Sequence, residues 1–211
     1  MEQNYIYIVF SATPYLMGKM IRRITGELYN HVSIALDQEL TQMYGFARRH
    51  FRTPLYGGFV KESHARYHFN GKSTEVCLCK LPVTQAQYTA LQDNLTAMQQ
   101  QEKDYLYNHI SAMGALIHKP IPAKNAYTCI EFCVQILHDA GVDIDPKKYY
   151  SVGDVAKMLE RFVIYTGPMP NNGEEDPAFF AKQSVLTSAW RTVRDICKLV
   201  PRIFTKKSAD G

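Results

Sequence analysis

The stretch Tyr127-Thr128-Cys129-Ile130-Glu131-Phe132-Cys133-Val134-Gln135-Ile136-Leu137 combines the start of a helix with a cysteine. Thr128, followed three residues later by Glu131 and then by an apolar run, has the form of a capping box. The pattern predicts a helix with Thr128 at the N-cap and Cys129 as the first helical residue. A cysteine there lies at the positive end of the helix dipole, which favours thiolate over thiol. We therefore expect Cys129 to be a nucleophile and the backbone N–H groups of Thr128 and Cys129 to stabilise an oxyanion.

The neighbours of Cys129 have structural explanations. Glu131 is two positions further on, about 200° around the helix, so we interpret it as a structural cap rather than an acid. Cys133 lies one turn below Cys129 and is expected in the core. The spacing of the two cysteines would suit a metal, but no second pair of ligands accompanies it, so we expect no metal site and no cofactor.

The composition indicates one globular domain with an extension. The chain has 211 residues, 46% of them hydrophobic and 21% charged, and its net charge of +4 is too small to indicate nucleic-acid binding. We find neither a signal peptide nor a stretch of the ~20 apolar residues that a transmembrane helix needs. The cysteine count of 5 is odd, which favours a reducing compartment, so we expect a cytoplasmic protein.

A histidine in a patterned strand is the best candidate for the base that a cysteine nucleophile needs. Residues 29–36 alternate between apolar and small or polar side chains, the period of a strand with two different faces. His31 is the only histidine of the chain inside such a segment. A turn at 37–39 and a returning strand at 40–47 would place His31 opposite Tyr44 or Gly45.

The remaining chain predicts an α+β fold with an antiparallel sheet. Further strands are expected at 5–10 and 74–81 and at an edge near 163–165, while residues 48–63 are interpreted as a basic loop that is either solvated or beside a site. Helices are expected at 15–25, 84–103, 129–140, 151–161 and 184–204, and residues 105–119 are either helical or irregular.

The strand Asn30-His31-Val32-Ser33-Ile34-Ala35-Leu36 and, much later, Tyr127-Thr128-Cys129 with Glu131-Phe132 resemble the circularly permuted branch of the NlpC/P60 papain-like cysteine hydrolase superfamily. That branch includes the YiiX-like and lecithin:retinol acyltransferase-like proteins, and the resemblance covers roughly residues 5–165. It implies a permuted papain-like fold, in which an antiparallel sheet carrying His31 packs against the helix that carries Cys129. It further implies that Cys129 is the nucleophile and His31 the base.

The residue that would orient His31 departs from the pattern of those families. They place His, Glu, Asn or Gln on the strand after the histidine, whereas that strand here runs from Leu40 to Phe46. Tyr44 is our first candidate for the orienting third residue, and Gln42 is the second. A dyad oriented by backbone or water, or a loss of activity, remains open.

We divide the chain into a permuted NlpC/P60-like catalytic domain at 1–165, a surface loop or linker at 166–183, and a basic amphipathic C-terminal helix and tail at 184–211. The helix carries an apolar stripe beside several cations; the stripe consists of Leu186, Trp190, Val193, Cys197 and Val200. Such a helix either docks its stripe on its own domain or makes a peripheral contact with a membrane or a partner.

The function expected from these features is that of a thiol-dependent hydrolase, such as a cysteine peptidase or amidase, or of an acyltransferase. It would act on an amide, ester or thioester in a small peptide or lipid-like substrate through a covalent acyl-enzyme. The alternative is an inactive binding module of the same fold that holds a peptide or lipid in its cleft. The sequence does not decide between hydrolysis and transfer.

Overall fold

The computed structural model describes residues 3–115 and 119–207, and they form a mixed α+β fold. Six antiparallel strands make one sheet in the spatial order β10-β7-β1-β2-β3-β4, which confirms the predicted α+β class. These strands are β1 (Asn4–Ser11), β2 (His31–Ala35), β3 (Met43–Arg48), β4 (Gly57–Glu62), β7 (Glu75–Val83) and β10 (Val163–Pro168). Four two-residue strands pair outside it: β5 (His68–Phe69) with β6 (Lys72–Ser73), and β8 (Leu106–Tyr107) with β9 (Ala126–Tyr127).

The central strand is buried on both faces, which explains its unbroken β-branched and aromatic sequence. β1 lies between β2 and β7. Ile6, Ile8 and Phe10 point into the larger core, whereas Tyr7 and Val9 point into a smaller core on the other face. The period of two therefore divides one strand between two apolar layers.

Seven helices surround the sheet within the described residues: α1 (Leu16–Thr25), α2 (Gln85–Gln100), α3 (His109–Ala115), α4 (Cys129–Asp139), α5 (Val152–Met158), α6 (Pro177–Phe180) and α7 (Val185–Lys207). The capping box predicted at Thr128 and Glu131 forms both of its hydrogen bonds at the start of α4, and Thr84 with Gln87 makes the same arrangement at the start of α2. Gly26 ends α1 with φ 73°, a left-handed conformation that glycine adopts without strain.

α4 packs against β2 and β3, so the helix that begins with Cys129 lies on the strand that begins with His31. Phe132 and Cys133 are fully buried in the larger core, where burial raises the pKa of the Cys133 thiol. Glu131 accepts the backbone N–H of Thr128 and also the hydroxyl of Ser111 from α3. The start of α4 is thus fixed from two directions.

The segment predicted as a basic loop at 48–63 contains a strand instead. β4 begins at Gly57-Gly58, which resembles a turn signal, but both glycines are needed because other backbone crosses the strand there. A Cβ at Gly57 would lie 2.9 Å from the carbonyl oxygen of Ala47 and 2.9 Å from Tyr107 Cβ. These close contacts let β8 pass over the edge of the sheet.

The segment predicted as a surface loop or linker at 166–183 is largely exposed but is anchored on the domain at two points. β10 pairs with β7 as far as Pro168, and the following Met169 is buried in the smaller core. Phe179 of α6 is only 2% exposed. Because the segment is mainly polar and rich in glycine and proline, its composition did not predict that Met169 and Phe179 are buried.

α7 does not dock through the predicted stripe. Leu199, on another face, is buried against Leu106, Ala123 and Ala126. The stripe faces away from the domain: Leu186 is 83% exposed, Trp190 63%, Val193 59% and Val200 44%, and Cys197 is exposed as well. Of the predicted tail, residues 208–211 lie outside the described residues. Within the described residues, no helix is long and apolar enough to cross a membrane.

Candidate active site

Cys129 contacts two side chains that come from different elements. Its thiol lies close enough to His31 at the start of β2 and to Tyr107 of β8 to raise the pKa of both side chains. Cys129 is 5% exposed and stands at the first position of α4, as its capping box predicts. The structure therefore brings together the two residues that the sequence assigned to catalysis, which are separated by 98 positions.

A buried carboxylate holds the far side of the His31 ring. His31 Nε2 lies 3.0 Å from Glu62 Oε1, so Nε2 carries a proton and donates it to the carboxylate. This leaves Nδ1 as the ring nitrogen for Cys129. Glu62, the last residue of β4, thus takes the orienting position. The sequence predicted the orienting residue one strand earlier, on the strand that follows the histidine.

Hydroxyl groups complete the coordination of Glu62. Ser33 Oγ donates to Glu62 Oε1 at 2.8 Å, and the Tyr67 hydroxyl donates to Oε2 at 2.7 Å. The Glu62 side chain is only 3% exposed, so each of these bonds offsets part of the cost of burying a carboxylate. Ser33 Oγ also lies 3.1 Å from His31 Nε2, which links the serine to both members of the pair.

The pair is charged at neutral pH. Burial lowers the pKa of His31, but the negative charge of Glu62 and the hydrogen bonds to Cys129 and Glu62 more than offset it and raise this pKa to about 10. For Glu62, burial raises the pKa, but the charge of His31 and the hydrogen bonds from His31 and Tyr67 more than offset this and lower it to about 2. An imidazolium and a carboxylate therefore lie side by side in the interior.

Tyr44 is not brought to His31. Ile34 pairs with Tyr44 across β2 and β3, so these two side chains share a face of the sheet. His31 is three residues before Ile34 and therefore belongs to the other face. The Tyr44 hydroxyl instead lies 3.4 Å from Gln99 Oε1. The expectation that Tyr44 orients His31 is corrected in favour of Glu62, and the second candidate, Gln42, is exposed in the connection before β3.

Of the two backbone N–H groups expected to stabilise an oxyanion, that of Cys129 is available and that of Thr128 is not. The N–H of Thr128 already donates to Glu131 Oε2 at 2.7 Å, so it is not free to bind an oxyanion. The Thr128 side chain and carbonyl take the N–H groups of Glu131 and Phe132. This leaves the first helical N–H groups, those of Cys129 and Ile130, for an incoming acceptor.

A cavity of about 110 Å³ opens beside the His31 ring. Its wall includes His31, Glu62, Tyr107 and two arginines, Arg48 and Arg66. Tyr107 was not expected from the sequence, because the two-residue strand that positions it has no periodic pattern. Within residues 3–115 and 119–207, no cluster of three or more His, Cys, Asp or Glu side chains could hold a metal ion.

Gly45 makes room for the Glu62 carboxylate. A Cβ built at Gly45 would overlap with Glu62 Oε1 and lie 3.1 Å from Ser33 Oγ. We expect Gly45→Ala to push the carboxylate away from His31 and to lower the free energy of unfolding by about 1–3 kcal/mol. Urea unfolding measures this change.

The matched control for Gly45→Ala is the same substitution in a Glu62→Ala background. With no carboxylate to meet, the added methyl group should then have an effect below about 0.5 kcal/mol. An equal loss in both backgrounds would show that Gly45 does not act through Glu62.

Comparisons of the chain with protein-family models, with curated proteins and with solved structures found no match.

Proposed function

We propose that the protein is a thiol-dependent hydrolase or acyltransferase that forms a covalent acyl-enzyme on Cys129. The observation that carries the proposal is the contact of Cys129 with a histidine whose other nitrogen is bound to a buried carboxylate. A nucleophile, a base and a residue that orients the base are the parts that cysteine acyl transfer requires. The substrate is an amide, ester or thioester.

The architecture fits the proposed fold of the circularly permuted NlpC/P60 papain-like superfamily. The histidine comes early in the chain on an antiparallel sheet, and the cysteine comes late at the start of a helix packed on that sheet. The glutamate on β4 supplies a carboxylate where the resemblance implies a polar orienting residue. These features support the family assignment as a proposal.

In the first half of the reaction, Cys129 attacks as the thiolate while His31 carries the proton. The sulfur attacks the substrate carbonyl carbon and forms the S–C bond, while the carbonyl oxygen becomes an oxyanion bound by the N–H groups of Cys129 and Ile130. The oxyanion collapses, the bond from carbon to the leaving nitrogen, oxygen or sulfur breaks, and His31 Nδ1 gives its proton to that atom.

In the second half, the neutral imidazole accepts a proton from water or from an acceptor hydroxyl or amine. That oxygen or nitrogen attacks the thioester carbon, the S–C bond breaks and the Cys129 thiolate is restored. Glu62 keeps its charge throughout: it fixes the ring with Nδ1 toward the sulfur and stabilises the imidazolium. Water gives hydrolysis, whereas a second substrate gives acyl transfer.

The alternative is a binding module with an unreactive cysteine. It is favoured by the low exposure of Cys129, 5%, and by the nearby Tyr107 side chain, whose pKa Cys129 raises in addition to the effect of burial. In that case the arrangement around His31 would stabilise the fold and the cavity would hold a ligand without turnover.

Alkylation by iodoacetamide separates the two functions. We expect Cys129 to react at pH 7 at least about tenfold faster than the exposed Cys197, although Cys197 is the more accessible thiol. His31→Ala should remove this advantage, because the imidazolium that stabilises the thiolate is lost. Mass spectrometry of the peptides that contain each cysteine follows both rates in one sample.

His138→Ala is the control, since this histidine is exposed near the end of α4. It should leave the rate at Cys129 unchanged. If Cys129 reacts no faster than Cys197 in the unchanged protein, the catalytic proposal fails and the binding module is favoured. Turnover is then measured with ester, thioester and γ-glutamyl-peptide probes, with Cys129→Ala as the blank.

We also propose that α7 binds an anionic membrane surface. Its stripe from Leu186 to Val200 is exposed along the helix, and exposed apolar rows of this length mark interaction sites. Cations accompany the stripe, with Lys198 exposed and Arg194 partly exposed, and the only acidic residue of the helix, Asp195, is buried and paired with Arg194. Anionic lipid headgroups complement this charge, whereas a second copy of α7 would bring like charges together.

Co-sedimentation with vesicles tests the membrane contact. We expect binding to phosphatidylcholine vesicles that contain about 30% phosphatidylglycerol, weaker binding without it, and a loss of binding in high salt. Trp190→Ser with Val193→Ser should weaken binding about tenfold or more, because two exposed apolar side chains of the stripe are removed.

The matched control changes two apolar side chains that are equally exposed elsewhere, Leu28 (77%) and Met113 (73%), to serine. It should bind vesicles like the unchanged protein. Absence of vesicle binding, together with a dimer in solution that the α7 substitutions convert to a monomer, would assign the stripe to a second copy of the chain.

A further inference from the structure

We propose that Arg48 binds an anionic group of the substrate, a carboxylate or a phosphate, in the cavity beside His31. The inference rests on the proposed function because it names the substrate class of that same site. It is carried by the position of one guanidinium, by what neutralises the other charges of the cavity, and by the place of His31 and Tyr107 in the same cavity wall.

Arg48 ends β3, and its side chain forms part of the cavity wall next to His31. The guanidinium carbon lies 3.9 Å from the centre of the Tyr15 ring, and Nη1 donates to the carbonyl oxygen of Phe51 at 3.3 Å. Stacking and one backbone bond fix the plane of the guanidinium. They leave further N–H donors of this forked group for a ligand.

The other charged side chains of the cavity wall are neutralised by protein partners. Arg66 Nε donates to Asp176 Oδ2 at 2.7 Å, and His31 is paired with Glu62. No carboxylate of the described residues lies within ion-pair distance of Arg48. Burial lowers the pKa of Arg48, and the side chains that act in the opposite direction are Tyr15 and Tyr107, neither of which is a carboxylate. A partly buried cation without a counterion is costly unless a ligand supplies the charge.

Arg48 shares the cavity wall with His31 and Tyr107. Burial raises the pKa of Tyr107, Cys129 raises it further and Arg48 lowers it, so both side chains act on the Tyr107 hydroxyl. An anion held by Arg48 would therefore lie next to the group that attacks the carbonyl. A substrate with an anionic group close to its scissile bond fits this arrangement, because the ion pair would position the carbonyl at the sulfur.

The first test compares iodoacetate with iodoacetamide at Cys129. In both reactions the thiolate displaces iodide and forms the same S–C bond, so the reagents differ mainly in charge. We expect Arg48→Met to lower the iodoacetate rate about tenfold relative to the iodoacetamide rate, which should stay within about twofold. Arg48→Lys keeps the charge, and its ratio of iodoacetate rate to iodoacetamide rate should lie between the ratios of the unchanged protein and of Arg48→Met.

The matched control is Arg52→Met, which removes the same charge from an exposed position on the neighbouring loop. It should leave the ratio of the two rates unchanged. If Arg48→Met retains both its fold and the ratio of the unchanged protein, the proposal is overturned and the guanidinium only packs against Tyr15.

A second measurement does not depend on a reactive cysteine. At constant ionic strength, replacing chloride by inorganic phosphate or by acetate should raise the melting temperature of the unchanged protein and of Arg52→Met, but not of Arg48→Met. The anion with the larger effect identifies the group that Arg48 prefers. Failure of the proposed function would appear as slow labelling of Cys129 by both reagents with this stabilisation intact, whereas loss of the stabilisation itself overturns the anion site.

Discussion

The ion pair between His31 and Glu62 sets the requirements for the surrounding structure. A carboxylate that is only 3% exposed is tolerated in the interior because it receives an imidazole N–H and two hydroxyl groups. Those donors come from β2 and from the turn after β4, and a glycine on β3 leaves the space in which the carboxylate lies. Three strands and one turn must therefore be in register before the pair can form. The same pair fixes which nitrogen of His31 faces Cys129.

The parts of this arrangement that depend on local sequence could be predicted. The capping box at Thr128 and Glu131 defines the start of α4 within a few residues, and the alternation around His31 defines a strand. Gly26 similarly ends the first helix as its position indicates. Such signals work because short-range hydrogen bonding and backbone conformation decide them, without knowledge of the fold.

Glu62 could not be found in this way, because its role depends on strand pairing. β4 begins with two glycines and ends with a lysine and a glutamate, a composition typical of a loop. It becomes a strand because it pairs with β3. Its two glycines leave the space in which the chain around β8 lies against it. Tyr44 was preferred for a related reason: the connection between β2 and β3 is longer than expected, and the resulting register turns Tyr44 to the other face. The exposed stripe of α7 likewise depends on which face the domain covers.

Charge connects the candidate active site with its surroundings. Among the described residues, Arg48 in the wall of the cavity beside His31 has no carboxylate partner, and the exposed helix α7 carries cations beside an apolar row. For each of these two features we propose a negatively charged ligand, a different one in each case. The proposed chemistry at Cys129 does not depend on either of them.

In the proposed mechanism, Glu62 keeps His31 protonated beside Cys129. The most direct measurement is a pH titration of the His31 side-chain nitrogens by NMR in the unchanged protein and in Glu62→Gln. Because the pKa of His31 is raised from 6.5 to about 10, the imidazolium should persist through neutral pH and lose its proton only in alkaline solution. In Glu62→Gln the titration should move to lower pH. A His31 that is already neutral at pH 7, or that titrates identically in both proteins, would show that Glu62 does not hold the proton on His31.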